Sequence, residues 1–167
     1  EKIGETHTDF AKNVQYSYEN FTRILEEHYL NHTILPTDHC LEIFEYLRAN
    51  QIKIALTTGF YRKVTNIILN KLGWLEGLNS DYFNASGKGI IDLSIASDEV
   101  EKGRPQPDMI LKAVKTLRIT DLKNVINIGD TPSDLQSGKS AGVALSLGIC
   151  NGTHSRTQLE NYPNDGL

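Results

Sequence analysis

Apolar residues recur along this chain with two different periods, and the alternation between them points to a fold class. Phe10, Val14, Tyr18, Phe21, Ile24, Leu25 and Tyr29 are spaced three or four apart, which predicts one long amphipathic helix with Thr8 and Asp9 as candidate caps. Leu35-Pro36-Thr37-Asp38 breaks that pattern, and Leu41, Ile43, Phe44 and Leu47 restart it as a second helix, capped by Asp38 and ending near Asn50. The period then changes. Lys53-Ile54-Ala55-Leu56-Thr57-Thr58-Gly59 reads as a short buried strand closing in a turn, and Val64, Ile67, Ile68 and Leu72 form a helix stopped by Gly73.

Between Asp81 and Val100 the signals weaken, and short strands are expected at residues 82–85 and 93–96 around a Ser86-Gly87-Lys88-Gly89 turn. Pro105 restarts a helix through Leu117. Val125-Ile126-Asn127-Ile128 predicts a buried parallel strand, Thr131 or Ser133 begins a helix that stops at Ala141-Gly142, and residues 143–147 form a further strand. Strand, helix, strand, helix, strand is the order of a doubly wound α/β fold, a parallel sheet with right-handed crossovers. No internal repeat or low-complexity tract interrupts it.

The length of 167 residues suits one domain with a real core, or a core plus a small appendage. The net charge of -4, with acids and bases interspersed, gives no basic stripe for nucleic acid and no polybasic helix for a membrane surface, which favours small-molecule chemistry. Cys40 and Cys150 are neither a disulfide framework nor metal-ligand spacing, so a reducing, cytoplasmic setting is expected. The sequons at Asn20, Asn31, Asn84 and Asn151 read as chance matches in such a setting. The five histidines, His7, His28, His32, His39 and His154, show no ligand spacing either.

Candidate chemistry gathers at three predicted strand ends, where open α/β sheets bind ligands. Ile128-Gly129-Asp130-Thr131-Pro132-Ser133-Asp134 places one carboxylate at a strand end and a second in the first turn of the next helix, a hard-oxygen pair that suits Mg²⁺. The competing reading is that both acids only cap the helix. Thr58-Gly59 offers a hydroxyl and an uncrowded N–H to a phosphoryl oxygen, although Thr57 and Thr58 are also ordinary strand-ending residues. Arg104, in Gly103-Arg104-Pro105-Gln106-Pro107-Asp108, can neutralise phosphate charge without deprotonating, and Lys102 competes with it for that part. Phe60 and Tyr61 either shape a pocket or pack in the core. A hydroxyl, a cation and two carboxylates together supply positioning, charge stabilisation and a metal, which is what phosphoryl transfer requires.

With Ile54-Ala55-Leu56-Thr57-Thr58-Gly59-Phe60, Gly103-Arg104-Pro105-Gln106-Pro107-Asp108-Met109-Ile110 and the Asp130/Asp134 motif in this order, the chain resembles the haloacid dehalogenase-like (HAD) hydrolase superfamily, and within it the phosphonatase-like branch. Thr153-His154-Ser155-Arg156-Thr157-Gln158-Leu159 also resembles the tail of that branch. The resemblance implies a Rossmann-like core over residues 35–167 and part of a helical cap over residues 1–34. It also implies a Mg²⁺-dependent phosphatase or phosphonatase working through an aspartyl phosphate on a small phosphorylated or phosphonate substrate. In that scheme Thr58 and the Gly59 amide hold the phosphate, Arg104 is the cation, Asp130 the Mg²⁺ ligand and Asp134 the supporting acid beside it.

One departure stands out. The family attacks phosphorus with an Asp on its first strand, in an apolar run followed by Asp-x-(Asp or Ala)-Gly-Thr, and these 167 residues contain no such segment. Asp9, Asp38, Asp81, Asp92 and Asp98 follow no suitable run, and Lys2 and Lys12 do not match the cap lysine of true phosphonatases, so C–P and P–O cleavage both stay open. The expectation is an amino-terminal truncation, with the absent strand lying between those of Thr58 and Asp130, and an early carboxyl end at Gly166-Leu167. The alternative is a non-catalytic domain that binds phosphate or a partner through the same sheet edge. A Rossmann-type nucleotide binder is disfavoured, since no Gly-x-Gly-x-x-Gly follows a strand.

Overall fold

The computed structural model describes residues 9–167, so Lys2, His7 and Thr8 of the preceding reading lie outside the described residues. Helix α1 (Phe10–Asn31) matches the long periodic stretch, but none of its residues is buried, and Asp9 makes no side-chain cap hydrogen bond at its start. It leans on α3 (Arg62–Leu72) through polar contacts near its carboxyl end. The Tyr61 hydroxyl donates to Glu26 Oε1 at 2.9 Å, and Lys63 Nζ pairs with Glu26 Oε2 at 2.6 Å. Lys71 Nζ donates to the Leu30 and His32 carbonyls at 2.6 and 2.8 Å, which satisfies groups that a helix end leaves open. Burial, and then the Glu26 carboxylate beside it, push the Tyr61 phenol up to about 12, so it stays a donor across the physiological range.

Helix α2 (Cys40–Ala49) starts after His39, which sits in the left-handed region at φ 62, so Asp38 is not its cap. The backbone there turns one residue later than the sequence suggested, and the His39 ring bonds Glu42 Oε2 instead. Phe44 and Leu47 of α2 close a first core with Ile54, Leu69, Trp74 and Ile91. Strand β1 (Ala55–Thr57) pairs in parallel with β2 (Leu93–Ile95), Ala55 opposite Leu93 and Thr57 opposite Ile95. Gly73, at φ 71, ends α3 as expected.

The strand expected at 82–85 shrinks to one antiparallel bridge between Phe83 and Leu93. Its neighbour Asn84 is committed to a turn: Oδ1 accepts from the Ser86 and Gly87 N–H groups and the Ser86 hydroxyl, and Nδ2 donates to the Ile91 carbonyl. Helix α4 (Asp108–Thr116) covers β2, with Met109 and Ala113 against Leu93 and Ile95 in the second core. It begins at Asp108 and not at Pro105, because residues 103–106 close a turn through Gln106 N–H to Gly103 C=O, and Asp108 Oδ2 accepts the Lys102 N–H at 3.1 Å.

Strand β3 (Ile126–Gly129), helix α5 (Pro132–Ala141) and strand β4 (Leu145–Gly148) complete the α/β alternation, with β3 and β4 parallel and Ile126 opposite Leu145. Short α6 (Arg156–Leu159) follows and buries Leu159. The two strand pairs share no backbone ladder, so the expected single sheet is present as two parallel pieces, β1-β2 and β3-β4.

The expectation that β3 is buried fails, since Ile126 and Ile128 are 54% and 58% exposed. The reason lies in the period-two alternation of Ile-Asn-Ile-Gly against Leu-Ser-Leu-Gly. Asn127, Gly129, Ser146 and Gly148 make a small, polar face, which α5 approaches closely: Asn127 Nδ2 donates to the Asp134 carbonyl and the Ser146 hydroxyl to the Leu135 carbonyl, both at 3.0 Å. The isoleucines stand on the opposite face, open to solvent. Ile128→Thr should therefore change the stability of this chain by less than about 0.5 kcal/mol, whereas Ile95→Ala, at a residue 1% exposed, should cost about 2–5 kcal/mol. Urea unfolding of the two variants checks this, and equal losses would contradict the two-faced reading.

Candidate active site

The carboxyl ends of β1 and β3 carry the candidate residues, and a single side chain joins them. Thr58 continues the β1 ladder by donating its N–H to the Ile95 carbonyl, and its Oγ1 accepts the Phe60 N–H at 3.1 Å, which leaves the hydroxyl proton available to a ligand. Gly59 is exposed, with open space where a Cβ would stand, so an anion can approach its backbone N–H. Arg104 spans the gap between the strand pairs. Its Nη2 donates to the Thr57 carbonyl at 2.6 Å and the Thr57 hydroxyl at 2.9 Å, while Nη1 pairs with Asp134 Oδ1 at 2.6 Å. Five guanidinium donors exceed these three contacts, so some capacity faces outward. Lys102 is exposed and reaches Asp108 only through its backbone, so Arg104 is the cation built into this edge.

The two acids do different work. Asp134 is 3% exposed and has both carboxylate oxygens engaged: Oδ1 by Arg104, and Oδ2 by the Thr131 N–H and hydroxyl at 3.0 and 2.6 Å. Thr131 Oγ1 in turn accepts the Asp134 N–H, so Thr131, and not Ser133, opens α5, with Pro132 in the first helical position. Asp134 therefore fixes the start of α5 and the direction of Arg104. Gly129 makes this possible, since a Cβ on it would overlap the Asp134 side chain.

Asp130, half-buried just past β3, meets Thr153 through Oδ2, which accepts the Thr153 N–H at 2.8 Å and the Thr153 hydroxyl at 2.9 Å. Burial opposes its ionisation, but the Thr153 hydrogen bonds, its own N–H and the nearby His154 outweigh burial and hold the carboxyl below its ordinary value. Oδ1 accepts no hydrogen bond from another described residue. Among the described residues no three His, Cys, Asp or Glu side chains converge on one point. Mg²⁺ is nonetheless suited by one or two carboxylates completed by water and substrate phosphate, so the donor set at Asp130 fits that ion.

The structure thus brings Thr58, Gly59, Arg104, Asp130 and Asp134 to one end of the strands. His28 and His32 stack on each other at 4.2 Å at the end of α1, and Phe60 meets Tyr29 edge-on at 5.4 Å. Sequence reasoning missed Thr57 as a partner of Arg104 and Gly152-Thr153 as partners of Asp130. Neither pairing leaves a local signal, since the residues are 47 and 23 positions apart. A groove of about 670 Å³ lined by Lys53, Phe83 and Arg118 opens near the start of β1, and none of the candidate residues lines it.

Residues 2–147 match the family model described as haloacid dehalogenase-like hydrolase. The chain belongs to the haloacid dehalogenase-like hydrolases. Among curated relatives of this HAD chain, a phosphonoacetaldehyde hydrolase of Bacillus thuringiensis is 31% identical over 159 residues, covering 93% of the chain and 54% of the relative. One of Latilactobacillus sakei is 35% identical over 113 residues, covering 68% of the chain and 38% of the relative. The chain thus spans about half or less of the length of these relatives. Among solved structures, a phosphonoacetaldehyde hydrolase like protein from Oleispira antarctica superposes with a TM-score of 0.69 at 20% identity, over 99% of this chain and 54% of that one. A HAD hydrolase, family IA, variant 3, from Entamoeba histolytica superposes with a TM-score of 0.71 at 24% identity, over 98% and 66%. These likenesses confirm the HAD Rossmann-like α/β class of the fold.

Proposed function

We propose that this chain carries the phosphate-holding and metal-holding part of a Mg²⁺-dependent hydrolase that acts on a small phosphorylated or phosphonate metabolite. The observation that supports this best is the Arg104 bridge, which sets a guanidinium between Thr57 at the end of β1, next to the Thr58-Gly59 turn, and the Asp134 carboxylate, at the same edge as Asp130. In this reading the Thr58 hydroxyl, the Gly59 N–H and the spare Arg104 donors bind and orient the phosphoryl oxygens and stabilise the charge that grows on them. Asp130 would hold Mg²⁺, which when bound supplies charge neutralisation to the transferred group. Asp134 keeps Arg104 aimed. None of these 167 residues is assigned the part of the attacking carboxylate, and α1 serves as part of a cap above the core. A cytoplasmic setting accompanies the reading and suits the free thiols of Cys40 and Cys150.

The names of the curated relatives favour a phosphonate, and phosphonoacetaldehyde is the first substrate to try. The test is phosphate release by the intact gene product from phosphonoacetaldehyde and a panel of phosphate monoesters, with Mg²⁺ and with a chelator. Turnover of at least one compound that stops with the chelator is expected. No release from any of them would overturn the hydrolase reading in favour of a binding domain.

A further inference from the structure

Asp130 is held by a loop far along the chain, and the manner of holding is specific. Beyond β4, Ile149 donates its N–H to the Gly129 carbonyl, which continues the β3-β4 ladder past the strand ends and brings residues 150–153 alongside Asp130. At the far end Ser155 is fixed ahead of α6 by Gln158, whose Oε1 accepts the Ser155 N–H at 2.9 Å and hydroxyl at 3.0 Å. The loop is thus tied at both ends. Gly152 packs so closely that a Cβ on it would overlap the Asp130 carboxylate. Thr153 then gives the same oxygen, Oδ2, two hydrogen bonds from backbone and side chain.

The proton inventory orders this group further. A carboxylate only accepts, so the one Thr153 hydroxyl proton goes to Asp130, and the His154 Nδ1 that lies 2.9 Å from Thr153 Oγ1 must be the donor to it. The result is a directed chain from His154 Nδ1–H to Thr153 Oγ1–H to Asp130 Oδ2. Such partners, one step behind a metal-binding group, orient the ligand and are felt in metal affinity.

We propose that the Gly152-Thr153-His154 loop is a clamp that occupies one oxygen of Asp130 and thereby presents the other, Oδ1, to a divalent cation, with Thr153 as its positioning residue. The proposal rests on the reading of Asp130 as the metal-holding group. It explains why a loop with no catalytic group of its own is built around a carboxylate, and it predicts that Thr153 acts on metal affinity through the hydroxyl and not through bulk.

The experiment is Mn²⁺ binding to the 167-residue chain, followed by the electron paramagnetic resonance of the free ion, for the wild type, Thr153→Val, Thr153→Ser and Asp130→Asn, with thermal melting of each. Thr153→Val should weaken binding about 10-fold, Thr153→Ser should stay within about twofold of wild type because it keeps the donor, and melting temperatures should remain together. Asp130→Asn should bind weakest. A Thr153→Val chain that binds as tightly as wild type, or a Thr153→Ser chain as weak as Thr153→Val, would overturn the clamp. A wild-type chain that binds no Mn²⁺ would instead overturn the metal reading beneath it.

Discussion

Replacing Arg104 with alanine is expected to lower the stability of this chain by roughly 3 kcal/mol and, under the proposed function, the turnover of the intact gene product by about 10²–10³-fold. The stability loss follows from Asp134, whose carboxylate is almost fully buried and would lose its cationic partner while keeping only the Thr131 bonds. It follows also from Thr57, whose end-of-strand carbonyl would lose its 2.6 Å donor. The turnover loss follows from the proposed function, in which the same guanidinium orients the phosphoryl group. Arg104→Lys should recover only part of either quantity, because an ammonium on a flexible stem cannot reach Thr57 and Asp134 at once in a fixed fork. Urea unfolding and steady-state rates measure the two effects separately. An unchanged unfolding midpoint would mean that the bridge does not join β1 to α5.

The second large effect is expected at Gly129, the last residue of β3. A methyl group there meets the Cβ and carboxyl of Asp134, atoms that are pinned on both sides by Thr131 and Arg104 and cannot yield. Gly129→Ala should therefore move the start of α5 or break its capping box, at a cost of about 3 kcal/mol. It should also weaken the site, because the turn that carries Asp130 and Thr131 would shift with it. The control is Gly59→Ala, where a Cβ meets nothing within 4 Å, and whose stability should change far less. Equal destabilisation of the two variants would contradict the packing argument.

These two cases show what was legible in the sequence. The helix periods of α1 to α5 and the three motifs are local, carried by residues a few positions apart, and the motif residues Thr58, Arg104, Asp130 and Asp134 lie at one end of the strands. The sequence allows either Thr131 or Ser133 as the cap, and the Asp134 side chain, turning back to its own helix start, selects Thr131. What the sequence could not show is pairing at long range: Arg104 with Thr57, Asp130 with Thr153, and the separation of the sheet into two pieces. The error at β3 has a different cause. An apolar run predicts burial on both faces, whereas Asn127 and Gly129 serve α5 and only the isoleucines are apolar. Alternation with small and polar residues marks a two-faced strand, and here its apolar face is the open one.

The most direct test is a crystal structure of the intact gene product soaked with Mg²⁺ and tungstate, a mimic of the transferred phosphoryl group. The account predicts the anion within hydrogen-bond distance of the Thr58 hydroxyl, the Gly59 N–H and the Arg104 guanidinium, with the cation on Asp130 Oδ1. An anion bound away from Thr58 and Arg104, or a cation that leaves Asp130 unliganded, would contradict it.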